Sequence, residues 1–211
     1  MSAFIGPIHH WLYNKIKLQE MMTESLFETA AERGVPVDEM RAESVRLFGE
    51  PVGGDLEGEV DQGNIHGWLQ ERIGRAERRL AFVVTGLLER GALDGAQLDE
   101  TFRALGHQAA VGAGEKIDGP PKMFNLLFDY LVEGMPCDRV NEMIQSDDNE
   151  VRWRTTTCLH QPYWDEVGGN VSWYYRVRDA WIQGFLEGAG DRMVYQRQES
   201  GEHVLRKVEG K

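Results

Sequence analysis

The segment at residues 150–160, EVRWRTTTCLH, ends in Cys158-Leu159-His160. Read as a strand, it projects residues two apart from one face, with α-carbons roughly 6 to 7 Å apart, so a thiol and an imidazole can converge on one metal ion or one substrate atom. A thiolate beside an imidazole is also the pairing of nucleophilic hydrolysis, with Cys158 attacking, His160 as base and Asp179 orienting or protonating. Asp179 falls one turn beyond Tyr175, which predicts partial burial and an ion pair with Arg176 or Arg178. The metal candidates are Cys158, His160 and His9. His9 opens the run Ile8-His9-His10-Trp11; adjacent His9 and His10 diverge by about 100° on a helix, so His9 would need a second ligand such as His66, His107 or His160. No CxxC or HExxH spacing occurs, and the sequence assigns no cofactor.

A second concentration is aromatic. Trp153, Tyr163, Trp164, Trp173, Tyr174, Tyr175 and Trp181 fall within 29 residues. Tyr and Trp offer large flat surfaces with one hydrogen-bonding group each, which suits an apolar ligand pocket as well as an aromatic core between helix and sheet. The expected pocket is lined by Trp153, Tyr163, Trp164, Tyr174 and Trp181, with Cys158 and His160 at one end.

Composition narrows the partners. The 211 residues carry a formal charge of −12 and a pI near 5.0, which repels phosphate backbones and anionic membrane surfaces, so neither nucleic acid nor membrane is an expected partner. Apolar runs are far shorter than the roughly 20 residues of a membrane span. No secretory pattern opens the chain, which predicts cytoplasmic residence with Cys137 and Cys158 as thiols. The phosphate-binding and nucleophile-elbow motifs are absent.

The elements that must position these side chains follow from periodicity. Ile8, Trp11, Leu12, Leu18, Met22 and Leu26 place a helix over residues 7–33, stopped by Gly34. A shorter helix is expected over 37–48. The glycine-rich acidic stretch 49–63 reads as a mobile loop, and residues 64–90 hold a helical period for about seven turns. Helices are expected at 98–111 and 122–132, with a boundary in GAGEKIDGPP (112–121) and at best a short helix at 137–145. The strand at 150–160 leads through an irregular QPYWDEVGGN segment to a helix at 171–188, then a hairpin of 192–198 and 202–208 turning at Gly201.

Residues 148–208, a strand, an aromatic segment, a helix with Gly184-Phe185 and a two-stranded return at Gly201, resemble the 4-vinyl reductase domain group and the related amino-thiazoline-carboxylate hydrolase-like proteins. The resemblance implies an α+β domain with an antiparallel sheet backed by helices, a pocket for a small, largely apolar molecule, and dimerisation. Cys158 would be the reactive thiol of the hydrolase-like reading, although this terminal hairpin lacks the cysteines that many vinyl reductase members carry. The fold class expected is mainly helical α+β: N-terminal helices plus a small antiparallel sheet with a C-terminal helix and β-hairpin. The regions are a helical 1–118 and an α+β ligand-binding 119–211, forming either two domains or one compact domain. Three functions remain: a small-molecule-binding protein and homodimer, a cysteine-dependent hydrolase of a small cyclic or amide substrate, and a helical dimeric interaction protein without ligand.

Overall fold

A computed structural model describes residues 5–114, 117–190 and 193–208. The helices are α1 (Pro7–Glu32), α2 (Asp38–Phe48), α3 (Leu56–Glu59), α4 (Ile65–Glu89), α5 (Gly95–Ala113), α6 (Pro120–Tyr130), α7 (Gln161–Glu166) and α8 (Ser172–Gly188). Four strands, β1 (Asn141–Ser146), β2 (Glu150–Thr155), β3 (Met193–Arg197) and β4 (Glu202–Lys207), form one antiparallel sheet in the order β1-β2-β4-β3. The mainly helical α+β class is therefore the observed one. The chain gathers into two compact units: the first holds the residues up to Asp94 with Tyr130–Cys137 and His160–Val171, the second Gly95–Asp129, Asp138–Leu159 and the chain from Ser172.

In the first unit, α1 starts at Pro7, where a missing N–H costs nothing, and ends before Gly34, whose φ of +79° is left-handed. Asn64 caps α4 by accepting from the Gly67 N–H at 3.1 Å. The apolar stripes of α1 and α4 pack together, burying Leu12, Tyr13 and Ile16 with Leu69, Ile73 and Ala76. Residues 49–63, expected as a mobile loop, belong to this core. Val52, Leu56 and Val60 recur every fourth residue and are buried in the same cluster, while the Tyr13 hydroxyl donates to the Gly54 carbonyl at 3.1 Å. Glycines and acids masked that short apolar period.

Two further expectations are corrected nearby. The Tyr163-Trp164 segment is a helix rather than an irregular loop: α7, with Pro162 in its first turn, packs on α4. The strand expected to reach His160 stops at Thr155, and His160 is the residue before α7, so the alternation that set Cys158 and His160 on one strand face does not extend to them.

The second unit rests on α5 and α8, which approach backbone to backbone. A Cβ on Gly106 would overlap the Trp181 carbonyl and lie 2.9 Å from the Phe185 nitrogen; one on Gly184 would overlap the Arg103 carbonyl oxygen and lie 2.6 Å from its carbon. Ion pairs Arg103–Glu187 and Arg176–Asp99 link the two helices. The sheet buries Val151, Trp153, Tyr195, His203 and Leu205, while Arg152 and Arg154 reach Glu202 among the outward residues. Residues 141–146, expected to be helical at best, are instead the edge strand β1, whose Met143 pairs with Trp153 across the ladder. Cross-strand pairing overrides weak local preference there. The expected hairpin is present as β3 and β4; its proposed first residue, Arg192, lies outside the described residues.

Candidate functional site

A groove of about 370 Å³ in the first unit is walled by α1, α2 and the segment after α2. Lys17, Glu20, Met21 and Glu24 share one face of α1 at spacings of three and four, and Arg41, Ser44 and Val45 repeat that spacing on α2. Phe27, Pro51 and Val52 complete much of the apolar wall, and Met21 is more than half exposed over it. At its base Arg79 of α4 donates through Nε to Glu20 at 2.8 Å and through its two terminal nitrogens to the carbonyls of Ser44 (3.2 Å) and Gly49 (2.7 Å). Both members of that pair are almost fully buried. Burial pushes the Glu20 carboxyl up, opposed by Arg79. Arg41 lies over the Phe27 ring, its guanidinium carbon 5.0 Å from the ring centre, and its Nη2 binds Glu24 at 2.7 Å. The sequence reading missed this set. Its signal was a charge on each apolar stripe, Glu20 among Ile16, Thr23 and Phe27, and Arg79 among Ala76, Leu80 and Val83.

His160 is buried with Nδ1 3.1 Å from Oε2 of buried Glu77, also missed. A carboxylate accepting from Nδ1 fixes the ring's tautomer and orientation. Asp179, expected in this role, is in the second unit, and Cys158 is half-buried there too. Asp179 is partly buried as anticipated, but its hydrogen bonds go to Tyr195 (2.9 Å) and Arg197 (2.8 Å), while Arg176 takes Asp99.

Of the five aromatic side chains, Trp164 is fully buried in the first unit and Tyr163 lies under the Arg78 guanidinium. Trp153, Tyr174 and Trp181 are buried in the second. Trp153 stacks on His203 at 4.9 Å with the rings nearly parallel and meets Phe124 and Phe128 edge-on; Trp181 stacks on Phe185 and Tyr174 meets Tyr175. The groove walls of either unit described here include none of the five.

Behind Trp153 runs a polar chain. The Tyr195 hydroxyl lies 2.9 Å from both Asp179 and His203 Nδ1, and His203 Nε2 lies 3.1 Å from the Thr155 hydroxyl. With Asp179 ionised, Tyr195 donates to it and accepts from Nδ1–H. With Asp179 protonated, Tyr195 donates to Nδ1 and Nε2–H donates to Thr155, whose hydroxyl donates to Asn141 Oδ1 at 2.9 Å. Burial, then Arg178 and Arg197, lowers the His203 pKa from 6.5 to about 3. The unfolded chain therefore takes up a proton below pH 6.5 that the native ring refuses, and stability complete above 6.5 is lost as pH falls toward 3. Urea unfolding should show about 2 kcal/mol lost between pH 6.5 and 5, and His203→Gln should flatten that dependence.

His9 Nδ1 accepts from the Gly6 N–H at 2.9 Å, which puts the neutral ring's proton on Nε2, 3.0 Å from His66 Nε2. That tautomer presents a proton rather than a lone pair to the neighbouring imidazole. Burial, then His66 and His10, holds the His9 pKa down. Among the described residues no three His, Cys, Asp or Glu side chains are grouped to hold a metal ion, so the His9, Cys158 and His160 ligand set is not assembled. Nor is any described helix long and apolar enough to cross a membrane.

Fold and groove together define a mainly helical α+β chain with a charged-based, apolar-walled cleft between helices. Comparison with models of known protein families, with curated proteins and with solved structures gives no match in any of the three.

Proposed function

We propose that this chain is a small-molecule-binding protein whose ligand lies in the first unit's groove. The observation that carries the reading is the combination of an apolar wall, about 370 Å³ of space and the buried Arg79–Glu20 pair at the base. Ligand sites span roughly 300 to 1,000 Å³ and pair mostly apolar walls with a few fixed polar groups. Arg79 is fixed by three acceptors, so the base of the cleft is ordered before any ligand arrives.

The test is a thermal-shift screen of metabolite-sized compounds on the full chain and on Val45→Trp, which fills the groove from its partly exposed wall. A ligand at a hundred times its Kd should stabilise the native chain by about 2.7 kcal/mol. The shift is expected to disappear in Val45→Trp. Hits that shift both proteins equally would place the ligand elsewhere and overturn the reading.

A further inference from the structure

Resting on that reading, we infer that the groove takes an amphiphile with an anionic head, a monocarboxylate with an unbranched apolar tail. The argument is a count of donors and acceptors on its walls. Three cations, Lys17, Arg41 and Arg79, face two carboxylates, Glu20 and Glu24. Arg79 is consumed internally, since its nitrogens serve Glu20, Ser44 and Gly49. Arg41 binds Glu24 through Nη2 at the exposed rim and places Nη1 3.4 Å from the almost fully exposed Asp38. Lys17, half-buried one turn before Met21, has its ammonium 5.0 Å from the Tyr13 ring centre and no carboxylate partner among the described residues.

With Arg79 on Glu20 and Arg41 on Glu24, the wall carries one cation, Lys17, in excess of its carboxylates. Met21, Phe27, Val45, Pro51 and Val52 offer the remainder of the ligand only apolar contact. A neutral molecule would leave the Lys17 charge unanswered, and a cation would meet it with repulsion. A carboxylate supplies acceptors with the compensating charge, and a flexible chain lies along the apolar walls.

The probe is decanoate, titrated calorimetrically below its critical micelle concentration into the full chain, with 1-decanol and decylamine as tail-matched controls. Decanoate is expected to bind about tenfold or more tighter than decanol. Lys17→Met should bring decanoate down to the decanol level without changing decanol; Lys17 is half-exposed, and Arg41→Gln gives an independent second variant. Equal binding of decanoate and decanol, both lost in Val45→Trp, would overturn the anionic head and leave groove binding standing. Preference for decylamine would overturn it the same way. Decanoate binding that survives both Lys17→Met and Val45→Trp would remove both the head-group inference and the groove itself.

Discussion

Gly184→Ala should cost about 3 kcal/mol of unfolding free energy, because the added methyl has nowhere to go. The obstruction is the Arg103 main chain, so relief requires α5 and α8 to separate rather than a side chain to rotate. Gly106→Ala meets the Trp181 carbonyl from the other helix and should cost as much. Gly188, one turn after Gly184, would carry its Cβ 2.5 Å from the His107 carbonyl oxygen. Gly112→Ala is the internal control: it lies near the end of α5 with open space around its Cβ and should be neutral or gain about 0.5 kcal/mol from helix propensity. Urea denaturation of the four proteins decides the matter. A loss below about 1 kcal/mol at both Gly184 and Gly106 would mean that the helices are not in backbone contact.

Arg79→Met is the second large effect, expected at about 3 to 5 kcal/mol. It strands the Glu20 carboxylate in the interior and removes donors from the Ser44 and Gly49 carbonyls. Burial already raises the Glu20 pKa above its ordinary 4.5, and losing Arg79 removes the largest opposing influence. A carboxyl whose native pKa exceeds its unfolded value binds more protons when folded, so the variant should recover stability as pH falls toward 4.5 and be weakest above neutrality. Glu20→Met added to Arg79→Met should restore part of the loss, since an apolar pair is often tolerated where a lone buried charge is not. Chemical denaturation at pH 5 and pH 8 separates these outcomes: an Arg79→Met deficit that does not change with pH would show that Glu20 is not the stranded group.

The two predictions concern residues that the sequence displays very differently. Gly184 and Gly188 stand visibly one turn apart in α8, but a helix tolerates glycine for several reasons, and only the Arg103 carbonyl beside Gly184 gives this pair its meaning. Glu20 and Arg79 sit on otherwise apolar stripes, and nothing local in sequence distinguishes them from solvated charges; only the packing of α1 on α4 buries them as a pair. The Cys158–His160 proximity was inferred from strand alternation that ends at Thr155. The aromatic density around residues 153–181 was real, yet it is divided between two units and spent on packing in each.

What the sequence determined by itself is what local physics controls. Periods of three and four set α1, α2, α4, α5, α6 and α8 nearly in place, positive-φ glycines at 34, 190 and 201 marked stops and turns, and the alternation at 150–155 marked β2. The mainly helical α+β class follows from those elements. Tertiary structure alone decided which charges are buried, because burial depends on the facing element: Arg79 against Glu20, His160 against Glu77 and His203 against Trp153 join residues between 50 and 83 positions apart. It decided β1 as well, since an edge strand with a weak preference forms only when β2 supplies hydrogen-bond partners. The groove belongs to the same category, because α1, α2 and α4 must meet before Lys17, Arg41 and Arg79 share one wall.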